Sequence, residues 1–218
     1  MKPQLISFKL CPFVQKAVLT LLYKHIDFDI EYIDLEDPPS WFTQMSPLGK
    51  VPVLKTGDEI LFESSVIIEY LDEVYGDSLQ PVDPLQKAQN RSWIEFGNEC
   101  LFNNYQLIMA ADKTSFDEQR NTLRKKLDHL ENQLTGGAFF NGSEVSLVDL
   151  SFAPFFQHQS FIAEKIPAII DPSRHQKLIN WSENLLKLPQ IPASTVPDIR
   201  KLYLDMISRR GGYINLNP

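Results

Sequence analysis

The hydrophobic pattern of this chain changes period once, near residue 80, and that change limits the possible folds more than any other feature. Before it, apolar runs of strand length alternate with helical stripes. After it, the apolar patterns are helical. A stretch that mixes strands with helices, followed by one that is helical throughout, reads as two domains of different class. Gln80-Pro81-Val82-Asp83-Pro84 reads as the join, because its two prolines interrupt regular structure and begin the next element. The predicted organisation is an α/β domain over residues 1–80 and an all-α domain over residues 85–218.

Within the first domain, Leu5, Ile6 and Phe8 form an apolar run too short for a helix, and residues 4–8 read as a strand. Val14, Ala17, Val18, Leu21 and Leu22 then recur at helical spacing, with Gln15, Lys16, Thr20 and Lys24 on the other face. Phe28, Ile30 and Tyr32 alternate with Asp29 and Glu31 as a half-exposed strand. Asp37-Pro38-Pro39-Ser40 signals a turn, and the segment through Trp41 and Met45 reads as irregular. Two apolar runs, Val51–Leu54 and Ile60–Phe62, flank Thr56-Gly57-Asp58-Glu59 and read as a hairpin. A helix follows, with Val66, Ile67, Tyr70, Leu71 and Val74 on its inner stripe and Glu69, Asp72 and Glu73 outside. The order is strand, helix, strand, then strand, strand, helix.

In the second domain a long helix runs from about Leu85 to Ala111. Leu123, Leu127, Leu130 and Leu134 mark another, ended by Gly136-Gly137. Ser146-Leu147-Val148-Asp149 resembles a capping box and opens a helix through Phe152, Phe155 and Phe156. A further helix near residues 173–188 turns Leu178, Trp181, Leu185 and Leu186 inward. A last one begins near Pro197 with Ile199, Leu202, Met206 and Ile207 as its apolar face.

Composition narrows the functional classes. With 28 acidic against 21 basic residues the net charge is −7, which argues against nucleic-acid binding. Arg120, Arg124, Lys125 and Lys126 are interleaved with Asp117, Glu118 and Asp128, as on a solvated helix face. Two cysteines make no disulfide framework and fit a reducing, cytoplasmic setting. No signal-peptide pattern and no stretch of membrane-spanning length is seen. His25, His129, His158 and His175 are too scattered for a metal site and read as surface or locally bonded side chains.

Cys11 carries the chemistry. It stands where the first strand meets the first helix, and Pro12 suits the first helical position because its missing N–H would have no partner there. A thiol at a helix start faces unpaired N–H groups that favour the thiolate and make it a candidate nucleophile. The competing reading is a small buried hydrophobe filling the strand–helix corner.

Three segments, in order, resemble the cytosolic glutathione transferases, and within them the omega-like branch that carries a cysteine. They are Cys11-Pro12-Phe13, the run Ser46-Pro47-Leu48-Gly49-Lys50-Val51-Pro52-Val53-Leu54, and the run from Phe62 to Leu71. The resemblance extends over essentially the whole chain. It implies a thioredoxin-like N-terminal domain that binds glutathione, an all-helical C-terminal domain and a homodimer. It further implies a cis bond before Pro52, which would turn the Val51 backbone toward the peptide part of glutathione; a trans proline at a strand edge is the alternative. Glu63 and Ser64 would hold the γ-glutamyl end, Ser64 serving also or instead as a helix N-cap. Lys50 would reach the glycyl carboxylate, and Phe13 would line the pocket or pack beneath the thiol.

Where many family members carry tyrosine or serine at the catalytic position, this chain has Cys11, which permits a mixed disulfide with glutathione. Val14 stands where a dithiol motif would place a second cysteine, so a second glutathione is expected to resolve the adduct. The cycle would consume two glutathiones and need no metal. Cys100 is the internal alternative. The second-substrate pocket is expected from the helical domain, including the face with Trp93, Phe96 and Cys100. Conjugation of glutathione to electrophiles and a non-catalytic module on the same fold are the alternative functions.

Overall fold

A computed structural model describes residues 2–166 and 168–216. The chain forms two compact units, one comprising Met1–Arg91 with Pro189–Pro197, the other Ser92–Leu188 with Asp198–Pro218.

The first unit holds β1 (Gln4–Ser7), α1 (Pro12–Tyr23), β2 (Asp29–Tyr32), α2 (Ser40–Met45), β3 (Val53–Thr56), β4 (Glu59–Phe62) and α3 (Ser64–Val74). The sheet order is β2-β1-β3-β4; β1 is parallel to β2 and antiparallel to β3, and β3 is antiparallel to β4. This is the thioredoxin-like βαβ–ββα arrangement. Leu5 pairs with Ile30 on one side and Leu54 on the other, so the apolar runs set the register. Leu5 and Ile6 point to opposite faces of the sheet and both are buried, as expected of a central strand covered on two sides. Ala17, Leu19 and Leu21 of α1 and Ile67, Ile68 and Leu71 of α3 are wholly buried. The β3–β4 hairpin turns at Gly57, whose φ of 63° is open to glycine at little steric cost.

Two expectations for this unit are corrected. Residues 40–45 form a short helix rather than an irregular segment: Pro39 is extended at its N-cap and Phe42 is buried beneath it. On α3 the inner stripe is Ile67, Ile68, Leu71 and Asp72, while Val66 and Val74 are half exposed. Asp72 tolerates burial because it is fully partnered. Its Oδ1 accepts from Lys24 Nζ at 2.8 Å and from the Leu79 N–H at 2.8 Å, and its Oδ2 accepts from the Ser78 hydroxyl at 2.7 Å. Lys24 donates further to the carbonyls of Asp72 and Asp77. Helical periodicity alone places an aspartate outside; a buried cation at the C-cap of the neighbouring α1 helps to bring it in.

The helix α4 (Pro84–Ile108) starts within the first unit, where Lys87 meets Glu73, Arg91 meets Glu69, and Asn90 donates to Gln80. The units divide between Arg91 and Ser92, inside this helix, and α8 (Gln190–Ala193) packs back onto α1. Gln15 of α1 donates to the Ser194 hydroxyl at 2.8 Å, and Ile191 is buried. Sequence periodicity gives no sign of so short a helix.

The second unit contains α5 (Lys113–Gln133), α6 (Leu147–Ile162), α7 (Gln176–Leu186), α9 (Ile199–Arg210) and α10 (Tyr213–Leu216). Nearly all of α6 is buried. At its start Ser146 and Asp149 form a capping box, and Asp149 also accepts from the Phe140 N–H and from Trp181 Nε1. Burial raises the proton affinity of that carboxyl above its usual range, against the four donors that favour its charge. Trp181 packs on Phe140, Phe152 and Phe156, the centre of this core. Gly97 on α4 lies so close to Phe152 that a Cβ there would stand 3.1 Å from the ring.

The histidines divide. His25 and His129 are exposed and His175, though buried, is locally bonded, as expected, whereas His158 is buried among aromatic rings, a correction for that residue. His175 is bonded to Asp128 and to the Asp171 N–H. The His158 ring lies 4.4 Å from Tyr203, and burial pushes its pKa down to about 4. Among the described residues no cluster could hold a metal ion, and no helix is long and apolar enough to cross a membrane.

Candidate active site

The sheet register places the motif residues at one edge. The chain leaves β1 at Ser7 and reaches Cys11; β3 begins at Val53, directly after Val51-Pro52; and β4 ends at Phe62, paired with Val53, directly before Glu63-Ser64. The carboxyl ends of β1 and β4 and the start of β3 therefore share one end of the sheet, the end where ligands meet open α/β sheets.

Cys11 is the N-cap of α1 with Pro12 at the first helical position. Its N–H donates to the Phe8 carbonyl at 3.0 Å, and its own carbonyl accepts the first helical bond, from Gln15. The half-buried thiol donates to the Val51 carbonyl at 3.8 Å. The Val14 and Phe13 N–H groups and the Lys16 ammonium all favour the thiolate, but desolvation outweighs them and pushes the pKa up to about 11. The resting side chain is therefore a protonated thiol, contrary to the lowering expected from a helix start alone. Burial at the strand–helix corner reverses the sign.

The Val51–Pro52 peptide is cis. Ser46 clamps the loop before it: its hydroxyl donates to the Lys50 carbonyl at 2.8 Å and accepts from the Lys50 N–H at 2.9 Å. That clamp escaped the sequence reading, which gave Ser46 no role of its own. Gly49 lies between them at φ 61°. Val51 and Pro52 are buried, while the Lys50 side chain is exposed.

Glu63, not Ser64, is the N-cap of α3, which removes the N-cap role expected for Ser64. Glu63 holds φ 72° and ψ 117°, a conformation that costs a non-glycine residue about 1–3 kcal/mol. Its side chain is exposed, and Ser64, at the first helical position, is buried. The first N–H groups of α3 have no intrahelical acceptor and form a ready anion site next to the cis-proline loop.

Phe13 is half-buried, and the Lys16 ammonium lies 5.4 Å from its ring centroid. In the second unit Cys100 is fully buried, and Trp93 packs on Phe96 and Phe140, so these side chains contribute to the helical core.

Residues 5–79 match the family model for the glutathione S-transferase N-terminal domain, and residues 113–184 the model for the C-terminal domain. The chain is 32% identical to glutathione S-transferase omega-1 of Sus scrofa over 86% of its own length and 78% of that protein's. It is also 32% identical to the probable chloroplastic glutathione S-transferase DHAR2 of Oryza sativa subsp. japonica, over 68% of this chain and 52% of that one. The crystal structure of glutathione transferase Omega 3C from Trametes versicolor shares the fold with a TM-score of 0.80 at 20% identity, over 89% of both chains. With a thiol at the start of α1, a cis-proline loop and the N-terminus of α3 at one sheet edge, the chain belongs to the glutathione S-transferase family, in its omega-like branch.

Proposed function

We propose that this chain is a glutathione-dependent thioltransferase or reductase in which Cys11 forms a mixed disulfide with glutathione. The observation that carries the reading is the meeting of the Cys11 thiol with the Val51 carbonyl ahead of cis Pro52. The Val51 backbone pairs with the peptide part of glutathione, the N-terminus of α3 with Ser64 takes the γ-glutamyl carboxylate, Glu63 takes its ammonium, and Lys50 takes the glycyl carboxylate. Phe13 flanks the sulfur. Residues 1–80 bind glutathione, and residues 85–218 supply the second-substrate pocket.

In the first step the Cys11 thiolate attacks the glutathionyl sulfur of a mixed disulfide. A new S–S bond forms, the old one breaks, and the product thiolate takes up the proton that Cys11 released. A glutathione thiolate then attacks the glutathionyl sulfur on Cys11, which frees glutathione disulfide and restores the thiol. The product is reduced by two electrons, and glutathione is oxidised to its disulfide. Val14 leaves no nearby resolving thiol, and Cys100 is buried.

The half-exposed Ile60, Phe62, Val66 and Val74 on β4 and α3 support a homodimer. A cysteine content of two, with both thiols free, supports a cytoplasmic setting.

The raised proton affinity of Cys11 favours a second reading, conjugation to electrophiles, in which the thiol donates a hydrogen bond to the glutathione thiolate. Intact-mass measurement after incubation with glutathione disulfide separates the two. The proposal expects one glutathionyl adduct, mapped to Cys11 and removed by reduced glutathione, and loss of disulfide exchange in Cys11→Ser. Full exchange activity in that variant would sink it. Conjugation retained by the serine hydroxyl would favour the second reading.

A further inference from the structure

The proposed nucleophile and the groups proposed to hold glutathione belong to different elements, so the reaction depends on how firmly α1 is set against β3 and α3. Cys11 is held through its backbone. Its N–H donates to the Phe8 carbonyl at 3.0 Å, and its carbonyl accepts from the Gln15 N–H at 3.2 Å. Pro12 has no N–H to add. Gln15 therefore closes the turn that carries the thiol, and what fixes Gln15 helps to fix Cys11.

Gln15 lies on the face of α1 that periodicity assigns to solvent, yet it is buried, and so is Ser194 at the C-cap of α8. The Gln15 side-chain amide donates to the Ser194 hydroxyl at 2.8 Å, and that hydroxyl donates to the Ile191 carbonyl at 2.7 Å. Both residues belong to the first unit, although 179 positions separate them in the chain. A buried amide and a buried hydroxyl cost free energy unless they meet partners, and an apolar pair would fill the same corner without that demand. What the polar pair adds is direction. Apolar packing is non-directional and lets one helix slide or turn on another, whereas a satisfied buried hydrogen bond holds one rotation and one height. At its far end α1 is pinned by Lys24, whose ammonium meets Asp72 at 2.8 Å. The Ser194 bond pins the near end, in the turn that carries the sulfur.

We propose that Ser194 is a positioning residue: through Gln15 it sets the first turn of α1, and with it the line along which the Cys11 sulfur approaches a disulfide. This deepens the thioltransferase reading and rests on Cys11 as the nucleophile. The groups assigned to glutathione, Val51, Glu63 and Ser64, stand before β3 and at the start of α3, so loosening α1 shifts the nucleophile and leaves the ligand in place. The expected signature is lost turnover at unchanged glutathione affinity. A misplacement of ~1 Å far from the chemistry is enough to cost about a hundredfold in rate.

In disulfide exchange, Ser194→Ala should lower kcat about tenfold and hold KM for glutathione within about twofold of the wild type. Ser194→Thr keeps the hydroxyl and should restore most of the lost turnover. Ile191→Val trims the same helix but keeps the bond, and should leave both constants near those of the wild type. Gln15→Met should cost less turnover in the Ser194→Ala background than in the wild type, because the two residues act as one unit. Wild-type kcat in Ser194→Ala, an equal loss in Ile191→Val, or a raised KM at unchanged kcat would overturn the proposal.

A second arm needs no glutathione, so failure of the brace is read separately from failure of the disulfide cycle. Amide hydrogen exchange of the free chain should show the Gln15 N–H, whose acceptor is the Cys11 carbonyl, exchanging about tenfold faster in Ser194→Ala, with Leu19 and Leu21 of the same helix unchanged. Unchanged protection at Gln15, or an equal loss along the whole of α1, would refute the role of Ser194. Absence of any glutathionyl adduct on wild-type Cys11 would instead sink the thioltransferase reading, and this arm would still decide whether Ser194 sets the turn.

Discussion

His158 makes the acid stability of the helical unit predictable. Its ring is 4% exposed and lies against Tyr203 and Phe161, and its folded pKa stands at about 4 against an ordinary 6.5. Between those two values the unfolded chain binds the proton and the folded chain does not, so stability falls as pH falls through 6.5 and the loss is complete near 4. At about 1.4 kcal/mol per unit the full effect is on the order of 3 kcal/mol, and about 2 kcal/mol of it should be lost between pH 8 and about pH 5. Other groups titrate over the same range, so the comparison is with His158→Phe, which keeps a ring against Tyr203 and has no proton to bind. Urea unfolding followed by far-UV circular dichroism and tryptophan fluorescence should show the wild type losing about 2 kcal/mol more than the variant over that interval. Equal losses in the two proteins would refute the reasoning, as would an imidazole proton resonance of His158 that titrates near 6.5.

Breaking the buried pair by Lys24→Met should destabilise the chain by about 3–5 kcal/mol, and adding Asp72→Asn should recover much of that, as measured by urea midpoints of the single and double variants. Glu63→Gly should relieve the positive φ and raise stability by up to about 1 kcal/mol while weakening retention on immobilised glutathione; a variant that gains stability and binds as before would remove Glu63 from the site. Gly97→Val should cost about 1–3 kcal/mol because the added carbons meet the Phe152 ring; thermal melting at unchanged midpoint would show that the ring yields freely.

Much of the first unit was legible because its signals are local. Pro12 marks the start of α1, the Thr56–Glu59 turn joins β3 to β4, and the apolar runs of β1 and β3 set their pairing. The readings that changed depend on partners distant in sequence. Asp72 is the clearest case: beside the nearby Ser78 hydroxyl and Leu79 N–H, its charge is met in the core by Lys24, 48 residues away. The proton affinity of Cys11 reverses because neighbouring elements desolvate the sulfur, and no helix-start argument contains that term. Cys100, Trp93 and Phe96 lie on a helix with a broad apolar pattern, and periodicity could not say which faces meet the core. Ser46 went unnoticed as a site-supporting residue for the same reason: a loop clamp is defined by geometry, not by spacing.

The return of Pro189–Pro197 to the first unit bears on the order of events during synthesis. The α/β unit is built from two stretches separated by roughly 100 residues of the helical unit, and its α1 is bonded through Gln15 to Ser194 in the later stretch. At about 5–20 residues per second, the ribosome delivers that second stretch some 5–20 s after the first has emerged. Until then the α1 surface that receives Ile191 and Ser194 is open to water, so the nascent α/β unit stays incomplete, and accessible to chaperones, until most of the helical unit has been made.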